Sequence, residues 1–352
     1  MTHGTHQARP GGEAAIAELP ERPRLLPGIG VYRRGEAELQ IGLDSRHAVV
    51  LGNLSPSLVA VLRSLDGTRR LPSLLSGLSP AECDHLRGLL AQLASRGLVT
   101  DATTTRHGEA GGTGSGLWAL RGIGPAARLA QRCAHSHVRL HGHGGLLAAV
   151  TCGLAEAGIG RLEISAPGAV ARHDAGCGYR VGDVGKPRAE VVAGIAREVN
   201  PSVRATTAQA STPCDLAVIT DMVVPPPELA HRLLGERIPH LPVRLREGTG
   251  IIGPLVLPGR TSCLHCADLH RADRDGWWPS VAAQLAGRPQ AAGVAGIHAT
   301  AGLAVTQIIR AAHALDGPCP TWNTTLELDI FDGRVLSRPW PPHPRCGCGA
   351  GR

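Results

Sequence analysis

Two closely spaced pairs of cysteines constrain the fold of this chain more than any other feature. Cys263 and Cys266 form a Cys-x-x-Cys pair, and Cys346 and Cys348 form a Cys-x-Cys pair about 80 residues later. Four thiolates can close a tetrahedral Zn²⁺ site with Zn–S bonds of about 2.3 Å, which leaves no coordination position for water or substrate. We therefore predict a structural zinc site that ties the last segment of the sequence to the body of the fold. The alternatives are two disulfides or thiols without a role.

The compartment decides between these alternatives, because cytosolic thiols stay reduced. The first 19 residues are polar and lack the apolar core of a signal peptide, and no stretch reaches 18 uninterrupted apolar residues. The sequence thus predicts a cytoplasmic protein without a membrane span. Its net charge of +7 is dispersed, and no basic tract is interleaved with aromatic residues, so no nucleic-acid partner is expected.

A run rich in threonine and glycine, residues 103–116, has the composition of a linker and divides the chain into segments 20–102 and 117–352. The first segment begins with three short strands. Helices follow at Ser55 and Ser79, each of which precedes a proline, the pattern of a helix N-cap followed by its first residue. This order of elements predicts a small winged-helix-like domain.

The second segment alternates strands and helices, which predicts an α/β domain with a doubly wound, mostly parallel sheet. Gly142, Gly144 and Gly145 form a tight turn between a strand and a helix. Such a turn can hold a phosphate against the helix N-terminus, although glycine turns also exist simply to let strand and helix pack closely. Asp221 ends a later buried strand, where open α/β sheets bind their ligands.

The order of the glycine turn, the Val-Gly-Lys-Pro-Arg segment from Val184, the Thr220-Asp221 pair and the two cysteine pairs resembles the ThiF/MoeB-type adenylyltransferases, relatives of ubiquitin-activating enzymes. The resemblance covers residues 120 to 350. It implies a Rossmann-type sheet and the adenylation of a peptide or carrier-protein C-terminus with ATP and Mg²⁺. Asp221 is then the candidate magnesium ligand, and the three glycines are the nucleotide loop.

Several positions depart from that family's pattern. Ala166 and Gly168 stand where the family has an Asp-x-Asp motif for the ATP ribose, Asp174 and Cys177 stand nearest the expected Asn and Arg of its phosphate-binding segment, and Leu147 replaces the last loop glycine. Each lost polar contact to ribose or phosphate removes about 1.5–3 kcal/mol. The sequence therefore predicts an eroded nucleotide site with weakened binding of ATP and Mg²⁺.

A narrower resemblance includes the segments 262–279 and 338–348. These are similar to ThiF-like proteins from the biosynthesis of thiazole/oxazole-modified peptides (TOMM), the leader-peptide-binding or cyclodehydratase partner proteins. This resemblance implies that segment 20–102 is a PqqD-like element that binds the leader peptide of a precursor. A separate YcaO enzyme would then use ATP to cyclise Cys, Ser or Thr side chains, and such folds commonly pair as homodimers.

A leader peptide can add as a strand to an exposed sheet edge, with its apolar side chains in a groove against a helix. We place that edge at residues 47–51 and the groove wall on the helix after Ser79. The predicted contact residues are His47, Val49, Leu51, His85, Leu86, Leu89, Leu93 and Arg96. A leader-binding adaptor is the leading hypothesis, an active adenylyltransferase is the alternative, and a DNA-binding regulator is the third class.

Overall fold

The structure is a computed structural model, and it describes residues 19–104, 116, 118–121, 126–208, 213–288, 292–313 and 319–350. The chain divides into two compact units, Met1–Ala127 and Arg128–Arg352. Residues 105–115 of the predicted linker lie outside the described residues. The boundaries expected for the two domains stay a prediction.

Within its described residues, the first unit contains short strands and, up to residue 101, three α-helices. Strands β2, β3 and β4 form an antiparallel sheet with β3 in the centre, and β1 pairs with β5 in a separate two-stranded ladder. The strands are β1 (Pro23–Leu25), β2 (Val31–Arg33), β3 (Leu39–Ile41), β4 (Val49–Leu51) and β5 (Val99–Asp101), and the helices are α1 (Pro56–Arg63), α2 (Leu71–Leu75) and α3 (Pro80–Ser95).

The serine–proline signals start two of these helices as predicted. The Ser55 hydroxyl accepts a hydrogen bond from the Leu58 backbone N–H at the start of α1. At the start of α3, Ser79 and Glu82 form a capping box, in which each side chain accepts from the other's backbone N–H. The core of this unit lies between the sheet and the helices, and leucine supplies most of it. The winged-helix assignment itself stays a prediction.

The second unit is built around an eight-stranded sheet in the order β13-β12-β11-β10-β9-β6-β7-β8. Strands β10, β9, β6, β7 and β8 run parallel to one another, and β11 to β13 extend the sheet in antiparallel fashion. The strands are β6 (His137–His141), β7 (Arg161–Ser165), β8 (Arg204–Thr207), β9 (Leu216–Thr220), β10 (His240–Arg246), β11 (Thr249–Ile252), β12 (Thr324–Asp329) and β13 (Arg334–Pro339).

Helices connect these strands, and the mostly parallel α/β architecture predicted from the sequence is confirmed. The helices are α4 (Ala126–His135), α5 (Gly145–Glu156), α6 (Arg188–Val199), α7 (Pro227–Gly235), α8 (Leu264–Arg274), α9 (Trp278–Leu285) and α10 (Val294–His313). Helix α5 lies close enough to α10 that a Cβ at Gly153 would come within 2.9 Å of Val305. None of the helices in the described part of the chain combines the length and apolarity needed to cross a bilayer.

The strand order changes direction between β6 and β9. From β6 the chain proceeds to β7 on one side, whereas β9 lies on the other side, so the connections diverge at the carboxyl ends of these two strands. Open α/β sheets bind ligands in the crevice formed at such a switch point. The glycine turn follows β6 and Asp221 follows β9, so the fold brings both predicted elements to this crevice.

Candidate functional site

The four predicted metal ligands come together in the second unit. Their sulfur atoms all lie within 4.8 Å of one another. The Sγ–Sγ distance is 3.8 Å for Cys263–Cys266, 3.6 Å for Cys263–Cys346 and 3.6 Å for Cys266–Cys348. A tetrahedron with metal–sulfur bonds of about 2.3 Å has edges of about 3.8 Å, whereas a disulfide would need about 2.05 Å. The geometry therefore fits a tetrathiolate metal site such as zinc.

The environment of the sulfurs also calls for a cation. Burial raises the pKa of the Cys263 thiol and raises that of Cys346 to about 11. The pKa of Cys348 moves the other way, because hydrogen bonds from the Ala350 backbone and neighbouring thiols outweigh its burial. The thiolate forms of Cys263 and Cys346 are thus disfavoured by themselves, and a divalent metal would stabilise them.

Side-chain contacts join the final segment to helix α8 beside the metal ligands. The His343 ring lies with its Nε2 2.8 Å from a carboxylate oxygen of Asp273, and the Arg345 guanidinium pairs with the same carboxylate. The Nδ1 atom of His343 accepts a hydrogen bond of 3.1 Å from the Arg345 backbone N–H. His343 therefore orients the chain that carries the second cysteine pair rather than contacting the sulfurs through a free ring nitrogen.

The glycine turn is shaped by its contact with Asp221. A Cβ at Gly144 would lie 2.5 Å from the Asp221 Oδ1 atom, and one at Gly142 would lie 2.0 Å from the Thr220 hydroxyl. Both separations are too short for a side chain, so only glycine lets Thr220 and Asp221 approach this closely. The absence of side chains at these two positions makes room for a carboxylate of the chain itself.

The Asp221 carboxylate caps the N-terminus of helix α5. Its Oδ1 accepts a hydrogen bond of 3.2 Å from the Leu146 backbone N–H, and its Oδ2 accepts one of 3.1 Å from the Leu147 N–H. The Thr220 hydroxyl donates a further bond of 2.8 Å to Oδ2. These backbone N–H groups are the donors that a bound phosphate would use at a helix N-terminus. In this structure the protein's own aspartate takes them.

Cys177, Tyr179 and His143 lie around the crevice beside Asp221; Tyr179 is buried and the other two are half-buried. Burial and the negative charge of Asp221 both raise the pKa of Cys177 and the pKa of Tyr179. The Tyr179 hydroxyl donates a long hydrogen bond of 3.4 Å to the Gly144 carbonyl. Burial lowers the pKa of His143, so its imidazole is neutral at pH 7. Cys177 thus lacks the depressed pKa of a nucleophilic thiol.

The segment beyond β7 is held by a buried ion pair rather than by polar groups open to the crevice. The Arg188 guanidinium donates 2.9 Å to the Asp174 carboxylate and 2.8 Å to the Pro167 carbonyl. Asp174 also accepts a bond from the Ala171 backbone N–H. Ala166 and Gly168, at the positions expected for ribose-binding acids, offer no side-chain acceptor.

The predicted peptide groove lies in the first unit. Strand β4 pairs with β3 on one side, and within the described residues no strand covers its other edge. Val49, Leu51 and the helix residues Leu86, Leu89 and Leu93 are all at most 8% exposed and belong to the core. These apolar side chains therefore pack in the core beneath the β4 edge and the α3 wall. His47 and His85 are half-buried and Arg96 is exposed, so they remain open to a partner. The groove itself stays a prediction.

One concave feature of the second unit was missed by the sequence analysis. A cavity of about 260 Å³ lies between β10, α8, α9 and the β12–β13 hairpin, and arginine and tryptophan side chains line it. The strand β10 carries a signal that points to it. Alternation along His240–Arg246 puts Arg244 and Arg246 on one face of a strand whose remaining residues are mostly apolar.

No family model and no curated protein matches the sequence. Among solved structures, *E. coli* MccB with ATP matches at a TM-score of 0.66 and 15% identity, over 93% of this chain and 99% of that chain. The microcin C7 biosynthetic enzyme MccB in complex with N-formylated MccA matches at a TM-score of 0.67 and 15% identity, with the same coverage. The structure of PaaA matches at 0.63 and 19% identity, over 89% of this chain and 98% of that chain. The chain therefore shares the fold of MccB and PaaA.

Proposed function

We propose that this protein is a peptide-binding adaptor in the biosynthesis of azole- or azoline-modified ribosomal peptides. It would bind the leader of a precursor through its first unit and present the precursor to a separate ATP-using YcaO cyclodehydratase. The observation that carries this proposal is the position of the Asp221 carboxylate at the N-terminus of α5. It accepts the backbone hydrogen bonds that a nucleotide phosphate would otherwise accept there.

The electrostatics of the crevice argue against productive ATP binding. A phosphate placed at the start of α5 would meet the carboxylate of Asp221 at close range, and like charges repel. Asp221 already accepts three hydrogen bonds, from the Leu146 N–H, the Leu147 N–H and the Thr220 hydroxyl, which leaves one lone pair of its carboxylate for Mg²⁺. The ribose also lacks an acidic partner at Ala166 and Gly168. Together these features favour an adaptor over an adenylyltransferase.

Two observations support a peptide as the partner. Strand β4 offers an unpaired edge within the described part of the first unit, which is what β-strand addition requires. MccB, which shares the fold, has been crystallised with the peptide MccA. We propose His47, His85 and Arg96 as the side chains that would contact the leader, with Val49, Leu51, Leu86, Leu89 and Leu93 as the apolar support beneath them.

The adaptor proposal is tested with ATP–pyrophosphate exchange and precursor binding on the zinc-loaded full chain. The probe is a synthetic precursor in which an acidic or amphipathic leader precedes a core rich in Cys, Ser and Thr. We expect precursor binding without exchange above background. Robust peptide-dependent exchange would instead establish the adenylyltransferase alternative.

A pair of charge reversals tests where the leader binds. Arg96→Glu places an acid at the predicted wall, at the C-cap of α3. Arg87→Glu makes the same charge change nine residues earlier, on the opposite face of that helix. We expect Arg96→Glu to weaken precursor binding at least fivefold and Arg87→Glu to change it less than twofold. Equal affinities for both variants would remove the groove from the proposal.

A further inference from the structure

Two adjoining cavities in the second unit form one cationic recess. The larger one measures about 260 Å³ and the smaller about 30 Å³, and they share Arg246, Arg271 and Trp278 in their walls. The smaller cavity is also lined by Val223, Val224 and Pro225, which begin two residues after Asp221 in the sequence. We call this feature the arginine recess.

Arg244 is the most unusual residue of the recess. The residue is only 5% exposed, and it lines the smaller cavity. Across the described residues, its guanidinium makes no hydrogen bond and no ion pair. Buried guanidinium groups are normally paired, because an uncompensated buried charge is strongly destabilising. An unpartnered one that lines a cavity points to an anion that is supplied from outside.

The neighbouring arginines increase the need for that anion. Burial, together with the positive charge of Arg271, lowers the pKa of Arg244 to about 9. Arg246 also lacks a hydrogen bond or ion pair among the described residues, and it lines both cavities. A negative charge placed between them would restore the ordinary pKa of Arg244, and this coupling favours binding.

The remaining arginines are held in fixed positions. The Arg271 guanidinium carbon lies 5.1 Å from the Trp278 ring centre and 4.4 Å from that of Trp340, so it stacks against both rings. Arg271 also donates a bond of 3.0 Å to the Asp268 carboxylate. Arg338 forms two hydrogen bonds, of 2.7 Å and 3.0 Å, with Glu327. The walls are therefore preorganised, which lowers the entropic cost of binding.

Charge and size define the class of ligand. Five arginines line the recess against three carboxylates, which leaves two positive charges in excess; the arginines are Arg244, Arg246, Arg271, Arg274 and Arg338, and the acids are Asp268, Asp275 and Glu327. A volume of about 260 Å³ is below the range of roughly 300–1,000 Å³ typical of small-molecule and cofactor pockets. It suits a compact anionic group better than a whole nucleotide.

We propose that the arginine recess binds a carboxylate of an acidic peptide, with Arg244 and Arg246 as its direct partners. Arginine is suited to this task because its planar fork can hold both oxygens of a carboxylate. The inference rests on the proposed function, since it assigns an acidic side chain of the bound peptide to a specific site. It also adds a second point of peptide contact, in the second unit, where the sequence analysis placed no leader-contact residue.

The test uses two octapeptides with blocked ends, one alternating alanine with glutamate and the other alanine with glutamine. Binding to the zinc-loaded full chain is measured by isothermal titration calorimetry at low salt. We expect the glutamate peptide to bind at least tenfold more tightly. Arg244→Gln and Arg246→Gln should each weaken its binding at least tenfold. Arg334→Gln, which removes the same charge from an exposed position on β13, should change it less than twofold.

Circular dichroism and zinc content check that each variant is folded, and if Arg244→Gln fails to fold, the half-buried Arg246 carries the test. Equal affinity for the two peptides, or equal losses in Arg246→Gln and Arg334→Gln, would overturn the inference. Inorganic phosphate is titrated separately. Arginine-dependent binding of phosphate without binding of the glutamate peptide would assign the recess to free phosphate, and the inference would be wrong.

The failure of this inference is distinguishable from failure of the adaptor proposal. If the precursor binds the full chain equally well before and after Arg246→Gln, the recess is not part of its binding site, and the adaptor proposal is unaffected. If the acidic octapeptide binds through the recess but the protein catalyses peptide-dependent pyrophosphate exchange, the recess is correct and the adaptor proposal is wrong.

Discussion

Replacing Asp221 by asparagine tests whether this residue serves as a helix cap or as a magnesium ligand. Asp221 has a positive φ of 66°, a conformation that asparagine tolerates better than other non-glycine residues. The substitution therefore removes the charge while the backbone and the side-chain volume are nearly preserved. Asp332→Asn, at an exposed position of the β12–β13 turn, is the matched control for loss of one carboxylate in the same unit.

The expected loss follows from the contacts of the carboxylate. Asp221 accepts two backbone hydrogen bonds, of 3.2 Å and 3.1 Å, at the positive end of the α5 dipole. A charge at a partly buried helix terminus contributes up to about 2 kcal/mol, and charge-assisted bonds are roughly twice as strong as neutral ones. Asparagine has a single acceptor oxygen and turns an N–H₂ group toward one donor. We therefore expect the free energy of unfolding to fall by about 1–3 kcal/mol, against less than about 0.5 kcal/mol for the control.

Urea unfolding of both variants, with and without phosphate and with and without ATP and Mg²⁺, provides the measurement. In the native protein neither addition should raise the unfolding midpoint. In Asp221→Asn the negative charge and the acceptor of one α5 N–H group are lost, which should allow phosphate to stabilise the fold, since a ligand at one hundred times its Kd adds about 2.7 kcal/mol. The reasoning is refuted if the native protein is stabilised by ATP and Mg²⁺ and Asp221→Asn abolishes that effect, because the aspartate would then be holding a metal.

Three further perturbations have defined outcomes. Cys346→Ser should abolish stoichiometric zinc binding and lower the Tm by roughly 10 °C, whereas Cys152→Ser, outside the cluster, should retain the metal; both are measured by atomic absorption and calorimetry. Burial lowers the pKa of His240 to about 4, below its unfolded value of about 6.5. The unfolded chain therefore binds the proton first, and the free energy of unfolding falls as pH decreases from about 7 to 4. In urea titrations, His240→Gln should reduce the dependence of this free energy on pH by up to about 1.4 kcal/mol per pH unit. Asp174→Asn should leave the buried Arg188 guanidinium without its charge partner and cost about 3–5 kcal/mol in the same titrations; a loss below 1 kcal/mol would contradict this assignment.

Short sequence patterns predicted the helices and strands that depend mainly on neighbouring residues. Strand β7 occupies Arg161–Ser165, where Leu162 and Ile164 alternate with polar residues between Gly160 and Pro167. Helices α1 and α3 start where serine precedes proline. The three-strand expectation for the first unit held for β2 to β4, although the strand predicted at 47–51 begins at Val49. The short helix α2 and strand β1, which pairs with β5 far along the chain, gave no comparable signal.

The contacts that define the candidate site depend on long-range geometry, which a single sequence does not encode in its spacing. The two glycine positions were recognised, but the group that fills the space beside them is Asp221, more than 70 residues away. The cysteine pairs were an exception, because thiolate chemistry restricts what four such residues can do together. The arginine recess was missed for the opposite reason. Apart from the alternation that puts Arg244 and Arg246 on one face of β10, the arginines of β10, α8 and β13 have no characteristic spacing, and only the folded structure brings them to one cavity.

The metal centre and the arginine recess share their supporting elements. Helix α8 begins directly after Cys263, and it carries Arg271 and Arg274 at its other end. The segment that carries Trp340 continues to Cys346, and its ring stacks on Arg271. A metal bound by the cysteines would therefore clamp together the two walls of the recess at a point outside the cavity. In this arrangement the metal would hold α8 against the segment that follows β13, although it does not line the recess. Removal of zinc should therefore weaken the binding of the acidic octapeptide.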